Sequence, residues 1–152
     1  MLKKIFAAIL VVSLLMIQST AMAAYPKYLN GDRNYILFDG HMGGGRFIVR
    51  NSLKVEADQY PAAILSVEYV IVRDADRGGT TITSRDKMYF GYNRKTREAF
   101  LIKGKNDFLP LNPRSSRAMG SGFAAGAEIA FYLATSGEKF FGSYPAEFYP
   151  SL

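Results

Sequence analysis

Ala63-Ile64-Leu65-Ser66-Val67-Glu68-Tyr69-Val70-Ile71-Val72-Arg73 is the stretch that decides the fold. Leu65, Val67, Tyr69 and Ile71 alternate with Ser66, Glu68, Val70 and Val72, which gives one apolar and one mixed face at a period of two. Tyr60-Pro61 marks its beginning, because proline cannot donate to a sheet ladder. Working toward the C-terminus, Asp74 to Gly79 reads as a turn, and Thr80 to Tyr92 as a long strand with Ile82, Met88, Phe90 and Tyr92 in phase. Asn93-Arg94-Lys95-Thr96 reads as a hairpin connection to Glu98–Lys103, with Phe100 and Ile102 expected on the same inward face. Working toward the N-terminus, Arg46–Val49 and Tyr35–Phe38 read as strands around a His41 to Gly45 turn. Leu53–Glu56 reads as a continuation or a short third strand.

The period changes after the loop-like run from Pro110 to Gly122. Phe123 to Ser136 is rich in alanine, and Phe123, Ala127, Ala130, Phe131 and Ala134 fall on one helical face, with Ile129 and Leu133 beside them. Ser121 is the expected N-cap and Gly137 the expected stop. The ending, Phe140-Phe141-Gly142-Ser143-Tyr144-Pro145 and on to Tyr149, is too aromatic for a free tail and is expected to pack back on the domain. The expectation is an α+β domain: an antiparallel sheet of about five or six strands with one C-terminal helix packed on it.

Residues 1–23 carry the pattern of a cleavable secretory signal peptide. Lys3 and Lys4 precede an apolar run from Ile5 to Ile17, and Ala21-Met22-Ala23 offers small residues for cleavage. The run is short for a membrane span, which needs roughly 20 apolar residues. Cleavage of 23 of the 152 residues would leave 129, one ordinary domain with no stable membrane span, and the loss of two lysines would lower the formal charge from +6 to +4. The expected location is therefore the periplasm, the cell surface or the extracellular medium. A mild positive excess there suits protein or anionic envelope polymers as partners or serves solubility, and nucleic acid is set aside. The chain has no cysteine, which removes thiol catalysis and cysteine-based metal sites.

The order of features resembles a group of small exported bacterial proteins of unknown function related to the surface-adhesin protein E domain. The residues that carry the resemblance are Tyr60-Pro61 before a Val-rich strand, Phe90-Gly91-Tyr92-Asn93, and Ala127-Glu128-Ile129-Ala130-Phe131-Tyr132-Leu133 followed by Lys139-Phe140-Phe141-Gly142 and Phe148-Tyr149. The resemblance implies a bent antiparallel sheet with a C-terminal helix, a homodimer, and a role in binding host or envelope proteins. The chain lacks the cysteines with which some relatives tie the helix to the sheet.

No motif assigns a reaction. His41, the only histidine, sits in Asp39-Gly40-His41-Met42-Gly43-Gly44-Gly45-Arg46, which reads first as a glycine hairpin turn and second as an exposed binding loop. Asp74-Ala75-Asp76-Arg77-Gly78 opens like a calcium loop, but Gly78 and Arg85 occupy the positions that require an oxygen ligand and a glutamate. Ser136-Gly137-Glu138-Lys139 matches S-x-x-K without its partner motifs. Glu128, within an aromatic helix, is expected to be partly buried and paired with an arginine.

Arg94, Lys95 and Arg97, with Lys103, Lys105, Arg114 and Arg117, form a basic cluster in sequence near Tyr89, Tyr92 and Phe108. Such a cluster is a solvated face or a grip for an anionic partner. The chain thus reads as a non-enzymatic binding module with Arg94, Lys95, Arg97, Tyr92, His41 and Arg46 as candidate contacts and no cofactor or metal. The alternatives are a small envelope hydrolase acting on glycan or peptidoglycan through Glu128 or His41, and a periplasmic inhibitor or assembly partner.

Overall fold

The computed structural model describes residues 25–116 and 120–152; the expected signal peptide and Arg117 lie outside them. Among the described residues eight strands form one antiparallel sheet: β1 (Tyr28–Leu29), β2 (Asp32–His41), β3 (Gly44–Val49), β4 (Lys54–Gln59), β5 (Ala62–Val72), β6 (Ile82–Asn93), β7 (Glu98–Gly104) and β8 (Asp107–Leu111). One α-helix, α1 (Ser121–Ala134), follows. The α+β architecture is the expected one, and the sheet is larger than five or six strands. β1 is only two residues long, and β8 contains Pro110 within a run that reads as loop.

β5 organises the sheet. It pairs along one whole side with β6, from Ala62↔Asn93 to Val72↔Ile82. Along its other side it takes β4 over Ala62–Ser66 and β3 over Tyr69–Val72. The break between β3 and β4 is a single 3-10 turn, Arg50–Ser52. At that break the Glu68 N–H donates to Ser52 Oγ at 2.7 Å, and the Ser52 hydroxyl donates to the Val49 carbonyl at 2.7 Å. One side chain thus satisfies the strand amide that falls between the two partner strands.

The period of two in β5 divides the molecule into two layers. Ala63, Leu65 and Val67 face α1, together with Met88, Phe90 and Tyr92 of β6 and Ala99 and Leu101 of β7. Val70 and Val72 face the other way, into a smaller core with Leu29, Phe47, Val49 and Ala75. α1 lies close on the sheet because its contact face is small. A Cβ on Gly126 would stand 3.1 Å from the Phe38 ring.

Residues Ala124 to Phe131 are all buried, so α1 is enclosed on both sides rather than amphipathic. The C-terminal segment supplies the second side, as its aromatic content predicts. Phe140 makes ring contacts with Tyr92 and Phe131, each at 5.0 Å, and Tyr149 lies 4.8 Å from the Tyr132 ring. Lys27 Nζ donates to the Glu147 and Tyr149 carbonyls, both at 2.7 Å, and fastens this segment to the opposite end of the chain. The helix begins one residue earlier than a Ser121 cap would allow: Gly120, with φ of 97°, occupies the cap position and Ser121 is the first helical residue.

Candidate functional site

The structure separates the candidate contact residues into two groups at opposite ends of β5. Asn93, at the start of the β6–β7 hairpin, pairs with Ala62, whereas Gly45, in the β2–β3 hairpin, pairs with Val72. Ten residues of extended strand put these ends about 30 Å apart. Arg94, Lys95 and Arg97 stand at the first end, and His41 and Arg46 at the second.

Within the first group the guanidinium ions diverge. Arg94 pairs with Asp58 and lies over the Tyr60 ring. Arg97 turns toward the C-terminal segment, 3.6 Å from Glu138 and over the Phe140 ring. Lys95 is exposed. Tyr92 is no surface contact: it is 3 % exposed, and its hydroxyl donates to the Ala127 carbonyl at 2.8 Å. Burial, with the nearby Glu128 carboxyl adding to it, pushes the Tyr92 hydroxyl well above the ordinary tyrosine range.

At the second end, Arg46 donates to Asp39 at 3.0 Å and its guanidinium lies over the Phe123 ring. His41 is exposed and opposes Gly44 in the hairpin register. Met42, at the apex, has φ of 49° and is 89 % exposed. The apex is braced from both sides, by the Gly43 N–H donating to the Tyr25 hydroxyl and by the Ala75 N–H donating to the Gly43 carbonyl.

Glu128 is fully buried, but its partners are not arginines. The Phe141 N–H donates to Oε2 at 2.6 Å, while the Tyr149 hydroxyl at 2.7 Å and the Gly142 N–H at 3.4 Å donate to Oε1. Two backbone amides and a hydroxyl do here what one guanidinium was expected to do. The carboxyl therefore holds the C-terminal segment against α1. Burial first, then the hydrogen bond to Glu128, drives the Tyr149 hydroxyl above its usual range.

The feature that sequence reasoning missed is on the sheet face away from α1. Phe100 and Ile102 do not share the inward face of Phe90 and Tyr92; the register places Leu101 opposite Phe90 and Ala99 opposite Tyr92. The cause is the length of the β6–β7 connection. It runs through Arg97, which takes a left-handed φ of 60°, so Asn93 faces Glu98 and every later side chain changes face.

The displaced residues assemble into two rows across β5 to β8. Ser66, Tyr89, Ile102 and Phe108 are successive neighbours in one row. Ile64, Gly91, Phe100 and Pro110 make the next. Ser66, at the β5 end, is buried with its hydroxyl donating to Glu56 of β4, and the rows open toward β8, where Tyr89 is 38 % and Phe108 52 % exposed. A Cβ on Gly91 would lie 3.5 Å from Ile102 Cδ1, so the isoleucine packs beside the space that the glycine leaves.

Charges border this face on one side as closed pairs, Arg85 with Glu68 at 2.8 Å and Lys87 with Glu56 at 4.0 Å. The signal in the sequence was the unbroken apolar run Ala99-Phe100-Leu101-Ile102, which has no polar alternation to mark a solvent face. Among the described residues no group of three or more His, Cys, Asp or Glu side chains is placed to hold a metal ion. No helix among them is long and apolar enough to cross a membrane. No protein-family profile, characterised protein or solved structure matches the chain.

Proposed function

We propose that this protein is an exported, non-enzymatic binding module that works at the cell envelope or outside the cell, with the uncovered β5–β8 face as its contact surface. The supporting observation is the pair of side-chain rows centred on Tyr89, Ile102 and Phe108, with both aromatics exposed on the sheet face away from α1 and charge along one border. An exposed apolar patch costs solubility, and such patches on soluble domains mark surfaces that meet a partner. Aromatic side chains suit that work because they bring large contact area at small entropic cost. The basic cluster contributes less to this reading than its sequence spacing suggests, since Arg94 and Arg97 each face an acidic partner and point apart.

The test is capture from an envelope fraction on the immobilised 152-residue chain, in three forms. The wild type retains a defined partner through a high-salt wash, Tyr89→Ser combined with Phe108→Ser loses it, and Arg94→Ala combined with Arg97→Ala keeps it. Loss in the arginine pair with retention in the aromatic pair would move the contact surface to the hairpin and overturn the assignment of the face.

A further inference from the structure

We infer that the ligand of the uncovered face is an extended, uncharged β-1,4-linked polysaccharide that lies across the strands and stacks its sugar rings on Tyr89 and Phe108; this rests on the binding-module reading and names its ligand class. The two aromatic side chains stand in one register row with Ile102 between them. Two strand spacings separate them, about 10 Å. Alternate rings of an extended β-1,4-linked chain present the same face at a comparable spacing, so two rings of one chain can rest on both aromatics at once. Gly91, which carries no side chain beside Ile102, leaves room for the intervening sugar. Sugar rings carry apolar C–H faces and polar rims. A chain laid flat buries the faces against the aromatics and points its hydroxyls sideways, toward Lys87 at one border and over the Gly91–Phe100 row at the other. Lys87 Nζ lies 5.3 Å from the Tyr89 ring centroid and 4.0 Å from Glu56, and its ammonium keeps donors over for a hydroxyl on a sugar seated there.

Three other occupants fit less well. A peptide laid on a sheet face meets no free backbone groups, because the strand amides are spent within the ladders, and would desolvate its own N–H and C=O groups without return. A nucleic acid needs uncompensated cations along its phosphates, and the two cations that border this face, Arg85 and Lys87, each stand beside an acid. A second copy seated on these rows alone would bury little. Four strands by two side-chain rows amount to some 200–300 Å² a side, or about 500 Å² over two copies, against about 1,200 Å² for a stable interface.

The experiment is calorimetric titration of the 152-residue chain with the β-1,4-linked hexasaccharide of N-acetylglucosamine, with an α-1,4-linked glucose hexasaccharide as comparison. Saturable binding of the β-linked chain alone is expected. It should weaken by about tenfold or more in Tyr89→Ser with Phe108→Ser, persist in Phe108→Tyr, and be unchanged in Met42→Ser at the far hairpin. Both aromatics are exposed, so the double variant should melt with the wild type. No binding by the wild type, or equal binding by the double variant, overturns the inference. If the hexasaccharide is ignored while envelope capture still depends on Tyr89 and Phe108, the face binds a protein and the polysaccharide assignment alone falls. If neither depends on them, the binding-face reading falls as well.

Discussion

Glu128 has its oxygens filled by the Phe141 and Gly142 amides and the Tyr149 hydroxyl, in a site with no access to water. The same region raises three phenols. Tyr92, Tyr144 and Tyr149 all sit above the ordinary tyrosine value of 10.0, each chiefly through burial and each with the Glu128 carboxyl adding to the effect. A phenol that ionises less readily in the folded than in the unfolded chain contributes stability fully present below the unfolded value. That stability is lost as the pH rises above it toward the folded value. The melting temperature should therefore fall above pH 10, and fall less steeply in Tyr149→Phe, which starts lower at neutral pH for want of one hydrogen bond but carries one fewer raised phenol. Parallel alkaline profiles for the two proteins would refute the role assigned to Tyr149. That Glu128 is buried follows from its apolar neighbours in sequence. The identity of its partners does not, because backbone amides thirteen and fourteen residues away leave no mark in composition.

The elements were legible in proportion to their own periodicity. β5 announces itself by alternation, and the helix by its alanines, because each pattern is local. β8 did not, since Asp107-Phe108-Leu109-Pro110-Leu111 holds a proline, and only its position at the open edge of the sheet, beside β7 alone, makes that residue tolerable. The faces of β7 were assigned the wrong way round because a register is set by the connection, and one left-handed residue, Arg97, decided it. The break between β3 and β4 depends likewise on a single hydroxyl. Ser52→Ala removes the acceptor for the Glu68 N–H and leaves that amide unsatisfied between β3 and β4, at a cost of about 1–2 kcal/mol. Chemical denaturation should show a lowered midpoint with an unchanged slope, and amide exchange should quicken at Glu68 before it does elsewhere in β5. Uniform protection along β5 in the variant would show that Ser52 does not hold the break.

At the scale of the whole molecule, one sheet serves two cores and still keeps part of a face open. α1 and the C-terminal segment cover one side, while the segment around Tyr25 and the 3-10 turn Ala75–Arg77 cover the β2–β3 end of the other. What remains is the β5–β8 surface. Both free borders of that surface resist strand addition: β4 is broken by a bulge between Val55 and Ala57, and β8 carries Pro110. A partner is thereby directed to the face rather than to an edge. The most direct test places a photo-crosslinking benzoylphenylalanine at Phe108 in one preparation and at Met42 in another, each exposed to an envelope fraction and irradiated. Adducts from position 108 with none from position 42 are the result this account predicts. Adducts confined to position 42 would place the working surface at the β2–β3 hairpin and contradict it.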